Sequence, residues 1–154
     1  MKVSDLMTKA AVTDSPGDTL AEAAAKMRAQ QTGSLLIMSG DQLAGIVTER
    51  DLLKVVGDGQ DPKAVSLREV MTKDPVTVSP DSSIQDAAKI MFDKWFRHLP
   101  VTTADGKVVG IISLRDLLSL VAEGMEDPAH IQTLTGHQLV RDKRLDRVEA
   151  GDLD

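Results

Sequence analysis

The chain has 154 residues, 42% apolar and 27% charged, with a net charge of −6 and no cysteine. That length suits one or two small domains, disulfides and thiolate metal sites are excluded, and the acidic balance argues against a general nucleic-acid binder, whose phosphate contacts need a basic face. No apolar run approaches the ~20 residues of a membrane span, and the opening MKVSDLMTKA lacks the apolar core of a secretion signal, so a cytoplasmic protein is expected.

In chain order, a short strand near Val12 leads through a proline-bearing turn to a first helix. Leu20, Ala23, Ala24 and Met27 fall at i, i+3, i+4 and i+7, one face of a helix. Thr19 with Glu22 supplies a capping box at its start. Two strands follow, SLLIM (34–38) and LAGIV (43–47), joined by the hairpin turn SGDQ. A second helix starts in GIVTERDLL (45–53) and runs to about Val56, and the Gly/Asp/Pro-containing stretch 57–66 reads as a linker.

The same order then recurs. At an offset of 64, VSDLMT (3–8) falls on LREVMT (67–72), AVTDSP (11–16) on PVTVSP (75–80), and LAEAAAKM (20–27) on IQDAAKIM (84–91). One extra residue in the loop TADGK raises the offset to 65, so GIVTERDLL matches GIISLRDLL (110–118). The second copy therefore carries a strand near Val76, a helix with Ile84, Ala87, Ala88 and Met91 on one face and Ser83 with Asp86 at its cap, then strands HLPVT (98–102) and VVGII (108–112) and a helix to Val121. Pro100 lacks an N–H and points to an edge position for its strand. The organisation expected is repeat one at 1–56, a linker at 57–66, repeat two at 67–121, and a charged, partly helical tail at 122–154. A β-α-β-β-α unit this small cannot bury both faces of its sheet, so the copies should pack as one pseudo-two-fold α/β module.

The doubled sentence carries the chemistry. Thr48-x-x-Asp51 and Ser113-x-x-Asp116 sit where strand becomes helix, and capping boxes alone explain that spacing. Capping does not explain Gly45 and Gly110, which weaken a strand and mark a close approach of backbone or ligand. Phe92, Trp95 and Phe96 are the only aromatics, too few for a single-strand stacking platform. Trp95 and Phe96 are expected in a core or a subunit interface, with stacking on a ligand ring as the lesser reading.

The paired MT starts, the V-T-x-x-P strands, the A-A-x-x-M helices, RHLPV and the G-h-h-[ST]-x-x-D-h-h endings resemble a tandem pair of CBS domains, a Bateman module, over residues 1–121. That resemblance implies clefts between the copies that bind an adenosine compound: AMP, ADP, ATP, NAD or S-adenosylmethionine. It places Asp51 and Asp116 on ribose hydroxyls and Thr48 and Ser113 against ribose or phosphate, which suits an ionised carboxylate acceptor beside a helix N-terminus. The resemblance makes Arg97 and His98 the basic pair for a phosphate, the alternative being an exposed strand-start pair. Arg50 and Arg115 could reach a phosphate too or equally be first-turn surface residues, and Thr13 and Thr77 of the V-T-x-x-P strands complete the candidate set. The clefts are expected to be unequal. Arg97 and His98 would serve the Thr48/Asp51 cleft, while Gly33 and Ser34 face the Ser113/Asp116 cleft; binding at the first should weaken as pH rises through the histidine range.

No metal is expected, because His130 and His137 stand seven apart without an acid at ligand spacing. No catalysis is expected either. A triad of Ser113, His98 and Asp116 lacks an oxyanion donor or a strained nucleophile turn. The resemblance implies a homodimer, with Leu52, Leu53, Leu117, Leu118 and Val121 on apolar helix faces. With no enzyme or transporter domain in the sequence, it also implies regulation of an unidentified protein in trans. The competing reading is a scaffold protein whose clefts have degenerated and bind nothing.

Overall fold

In the computed structural model, residues 1–9 and 11–122 are described. Each repeat begins with one helical turn, α1 (Val3–Leu6) and α4 (Leu67–Val70). In repeat one there follow β1 (Thr13–Asp14), α2 (Leu20–Gln30), β2 (Ser34–Ser39), β3 (Gln42–Thr48) and α3 (Glu49–Gly57). Repeat two continues with β4 (Thr72–Lys73), α5 (Ile84–Lys94), β5 (His98–Thr102), β6 (Val108–Ser113) and α6 (Leu114–Ala122). Of the expected partly helical tail at 122–154, residues 123–154 lie outside the described residues.

The capping chemistry forms as read. Glu22 N–H donates to Thr19 Oγ1 at 3.2 Å and Thr19 N–H to Glu22 Oε2 at 2.7 Å. At α5, Asp86 N–H donates to Ser83 Oγ at 3.0 Å. The apolar stripes bury Leu20, Ala23 and Met27 on α2, and Ile84, Ala87 and Met91 on α5. β2 and β3 form an antiparallel hairpin whose turn holds Gly40 at φ 62°, and β5 and β6 form its counterpart.

The short starts are exchanged between repeats. Val3, Leu6 and Met7 pack in the core of repeat two, with Ile84, Met91, Leu99 and Ile112. Leu67, Val70 and Met71 pack in the core of repeat one, with Leu20, Met27, Leu35 and Val47. Backbone bonds fix the exchange. Val3 N–H donates to Ser82 O and Leu67 N–H to Asp18 O, while Thr8 and Ile111 donate to each other. β4 pairs antiparallel with β3 at Gly45 and Ile46, adding a fourth strand from repeat two to the sheet of repeat one. Neither short helix nor β4 is expected from the sequence, because pieces this short carry no periodicity.

The edge reading of Pro100 needs correction. β5 has β6 on one side and Val78 on the other, where Val78 N–H donates to Pro100 O and Thr102 N–H to Val78 O, both at 3.0 Å. The equivalent residue in repeat one, Leu36, donates its N–H to Val12 O. Pro100 has no such donor, so repeat two keeps only a bridge at Val78 where repeat one forms β1.

Asp14 occupies the place of Val78, a buried core residue of repeat two, and Lys26 the place of Ile90, which packs against that core. The Asp14 side chain is 6% exposed and pairs with Lys26 through Oδ1, and Lys26 also donates to Thr13 O. Among the described residues Asp14 Oδ2 and Ser34 Oγ are buried without a hydrogen-bond partner.

Candidate functional site

The strand-to-helix corner of repeat one is built by the doubled sentence. Thr48 N–H donates to Asp51 Oδ2 at 2.7 Å and its hydroxyl to the same oxygen at 3.3 Å, which satisfies the start of α3. In repeat two, Ser113 N–H and Oγ donate to Asp116 Oδ2 at 2.6 and 2.7 Å, and Asp116 N–H returns a bond of 3.3 Å to Ser113 Oγ. Both acids are therefore helix caps.

The close approach expected at the glycines is one of backbone. A Cβ on Gly45 would lie 2.7 Å from Thr72 O and 2.8 Å from Met71 Sδ, and one on Gly110 would lie 2.6 Å from Thr8 O. Each glycine admits the exchanged Met-Thr segment of the other repeat.

That exchange also shapes a cavity of about 540 Å³ at the corner of repeat one, within the size range of small-molecule sites. Ile46 and Val55 of repeat one, with Val70, Met71, Pro75, Val76 and Pro100 of repeat two, form apolar wall. Thr48, Arg50, Asp51 and Lys54 enter from repeat one, and Arg97 and His98 from the start of β5. Five of the ten candidate residues thus meet: Thr48, Arg50, Asp51, Arg97 and His98. The other five do not line this cavity. Ser113, Arg115 and Asp116 stand at the corner of repeat two, Thr13 is exposed on β1, and Thr77 lies between the cavity residue Val76 and the core residue Val78.

Lys54, Asp58, Gln60 and Glu69 are lining residues that motif matching does not single out. Lys54 lies one turn beyond Arg50 on α3, a spacing that places the two side by side. Trp95 and Phe96, expected together, divide their roles. Phe96 packs against the core of repeat two, whereas Trp95 belongs to neither core and stands at the end of α5 at φ 62°. Both rings also line the cavity.

The charges around Arg97 are mixed. Its Nη2 lies 3.5 Å from Glu49 Oε2, an exposed pair. Burial, and then the neighbouring Arg97 charge, hold the His98 imidazole below the ordinary histidine range, partly offset by Glu49 and Asp116. The expected proton-dependent contact is accordingly shifted, since near neutral pH His98 is a neutral donor and acceptor. Among the described residues no cluster of three or more metal-ligating side chains occurs, and no helix is long and apolar enough to cross a membrane.

A two-repeat sheet-and-helix module with exchanged starts and a cavity at the strand-to-helix corner defines a paired-repeat binding fold. The CBS domain model matches residues 3–58 and 67–123, and the chain belongs to the CBS-domain family. An uncharacterised protein of Methanopyrus kandleri is 38% identical over 122 residues, covering 78% of this chain and 62% of that protein. This chain thus spans less than two thirds of that relative. A putative signal-transduction protein with CBS domains from Burkholderia ambifaria is 32% identical, with a TM-score of 0.74 over 81% of this chain and 94% of its own. A CBS domain protein from Pyrobaculum aerophilum, solved in complex with AMP, is 24% identical, with a TM-score of 0.72 over 79% of this chain and 99% of its own. At that identity the likeness is one of fold.

Proposed function

We propose that the chain is a regulatory module that binds an adenosine-containing nucleotide in the Thr48/Asp51 cavity and acts on a protein partner in trans in the cytoplasm, without catalysis of its own. The observation that carries this reading is the meeting of two half-sites. A helix-capping carboxylate, Asp51, comes from repeat one with Thr48 and Arg50, and Arg97 and His98 come from repeat two. The Asp51 carboxylate is suited to ribose hydroxyls, the cationic side chains to phosphate, and the wall around Val55, Val76 and Pro100 to a planar base. AMP in the Pyrobaculum aerophilum relative supports the ligand class. A ligand wedged between repeats biases their packing, and that is a route to regulation.

The test is a thermal-shift screen of AMP, ADP, ATP, NAD and S-adenosylmethionine, followed by calorimetry. Asp51→Ala removes charge-assisted bonds worth roughly 1.5–3 kcal/mol, so affinity should fall about 10–100-fold. No shift with any of the five ligands, or an unchanged affinity in Asp51→Ala, would overturn the reading. Self-association is part of the same proposal. Its apolar contacts would come from the exposed Leu53 (71% exposed) and Val56 on α3 and Leu114 and Leu118 on α6. Leu117 is instead in the core of repeat two and Leu52 packs against that of repeat one, while the Val121 side chain lies outside the described residues.

A further inference from the structure

Glu49, the first residue of α3, is seated between the repeats. Its N–H donates to Gly33 O at 3.1 Å. Its carboxyl lies directly over Gly33, where a Cβ would meet Glu49 Cδ at 3.1 Å and both carboxylate oxygens at 3.2 and 3.3 Å. On its other side Oε2 faces Arg97 Nη2 at 3.5 Å. The arrangement is not repeated across the pseudo-two-fold. Leu114 stands where Glu49 would recur, and Gly33 where Arg97 would recur. So the carboxylate reaches out of repeat one to the arginine that repeat two contributes to the cavity.

We propose that Glu49 is a resident competitor for the ligand's phosphate. It holds Arg97 while the cavity is empty, and a phosphate binds by taking Arg97 away from it. The pair is suited to exchange. Both side chains are more than half exposed, and exposed ion pairs contribute little. A phosphate offers Arg97 a doubly charged, bidentate partner, which is the stronger contact. A nucleoside without phosphate leaves the pair intact and gains nothing from Arg97. Glu49 therefore lowers affinity for every phosphate-bearing ligand and sets the concentration at which the cavity fills. This rests on the nucleotide reading above.

The experiment is a double-mutant cycle on the full chain, titrating AMP and adenosine by calorimetry into the parent, Glu49→Gln, Arg97→Ala and the double variant. Glu49→Gln should bind AMP about two- to fivefold more tightly at low salt, with the gain shrinking as salt screens it. Adenosine affinity should not change, and the gain should vanish in the Arg97→Ala background. Should Arg97→Ala fall below calorimetric range, the cycle is read from the AMP-dependent rise in melting temperature at millimolar ligand. A parent that binds AMP with Glu49→Gln no tighter overturns this inference alone. So does a gain that persists without Arg97, since Glu49 then acts only as nearby negative charge. AMP binding by neither the parent nor Glu49→Gln overturns the nucleotide reading and this inference with it.

Discussion

Replacing Gly45 by alanine tests whether the repeated glycine serves the exchanged backbone. The new Cβ would sit 2.7 Å from Thr72 O, and ordinary contact begins at 3.4 Å. Met71 can move its side chain, but Thr72 is held in the β3–β4 ladder and cannot retreat without stretching it. Overpacking of this kind costs about 1–3 kcal/mol, and a weakened ladder bond about 1 kcal/mol. The lower entropy of an unfolded alanine returns roughly 0.5–1 kcal/mol. The net loss is about 1–3 kcal/mol, a fall in melting temperature of roughly 3–10 °C for a domain of this size. Gly57→Ala is the control, because nothing lies within 4 Å of its Cβ. Calorimetric melting of both variants is the assay. Because Met71 and Thr72 line the cavity, Gly45→Ala should also weaken ligand binding there. If Gly45→Ala and Gly57→Ala melt within about one degree of the parent, the close-approach argument is wrong.

Lys26→Met leaves the buried Asp14 carboxylate without its cation; with Lys26 itself 43% exposed, the loss should be about 2 kcal/mol, below the usual cost of breaking a fully buried pair. The pair Asp14→Val with Lys26→Ile, which copies Val78 and Ile90 of repeat two, should instead melt at or above the parent temperature; a double variant less stable than Lys26→Met would refute the argument. His98 titrates lower in the folded chain than its ordinary 6.5, so its contribution is intact above pH 6.5 and is lost as pH falls through the folded value, the unfolded chain taking up the proton first. Melting temperature should decline over that interval in the parent and decline less in His98→Gln; identical pH profiles would remove His98 from the account. Light scattering at micromolar concentration should return a dimer, and Leu53→Glu with Leu118→Glu should return the 16.6 kDa monomer; a monomeric parent would end the self-association proposal.

The helices, their caps and the hairpins were legible in the residues themselves, because each depends on neighbours only a few positions away. The stripe of Leu20, Ala23 and Met27 and the Thr19–Glu22 box need nothing beyond one turn of helix. The repeat was legible too, since a duplicated unit leaves duplicated spacing whatever its packing. Partnership across the molecule was not written in this way. Gly45 and Gly110 announce that something comes close, but only the tertiary structure says that it is the Thr72 and Thr8 carbonyls of the opposite repeat. Trp95 and Phe96 are adjacent and equally apolar in the sequence, yet the left-handed turn at Trp95 leaves it outside the core in which Phe96 packs. No local pattern marks Asp14 for burial; the sheet places its side chain beside Lys26. The convergence of Arg97 and His98 with Thr48 and Asp51 is of the same kind. Family resemblance anticipated it, but the residues lie some fifty positions apart, and contacts at that separation are decided by which surfaces bury each other rather than by local pattern.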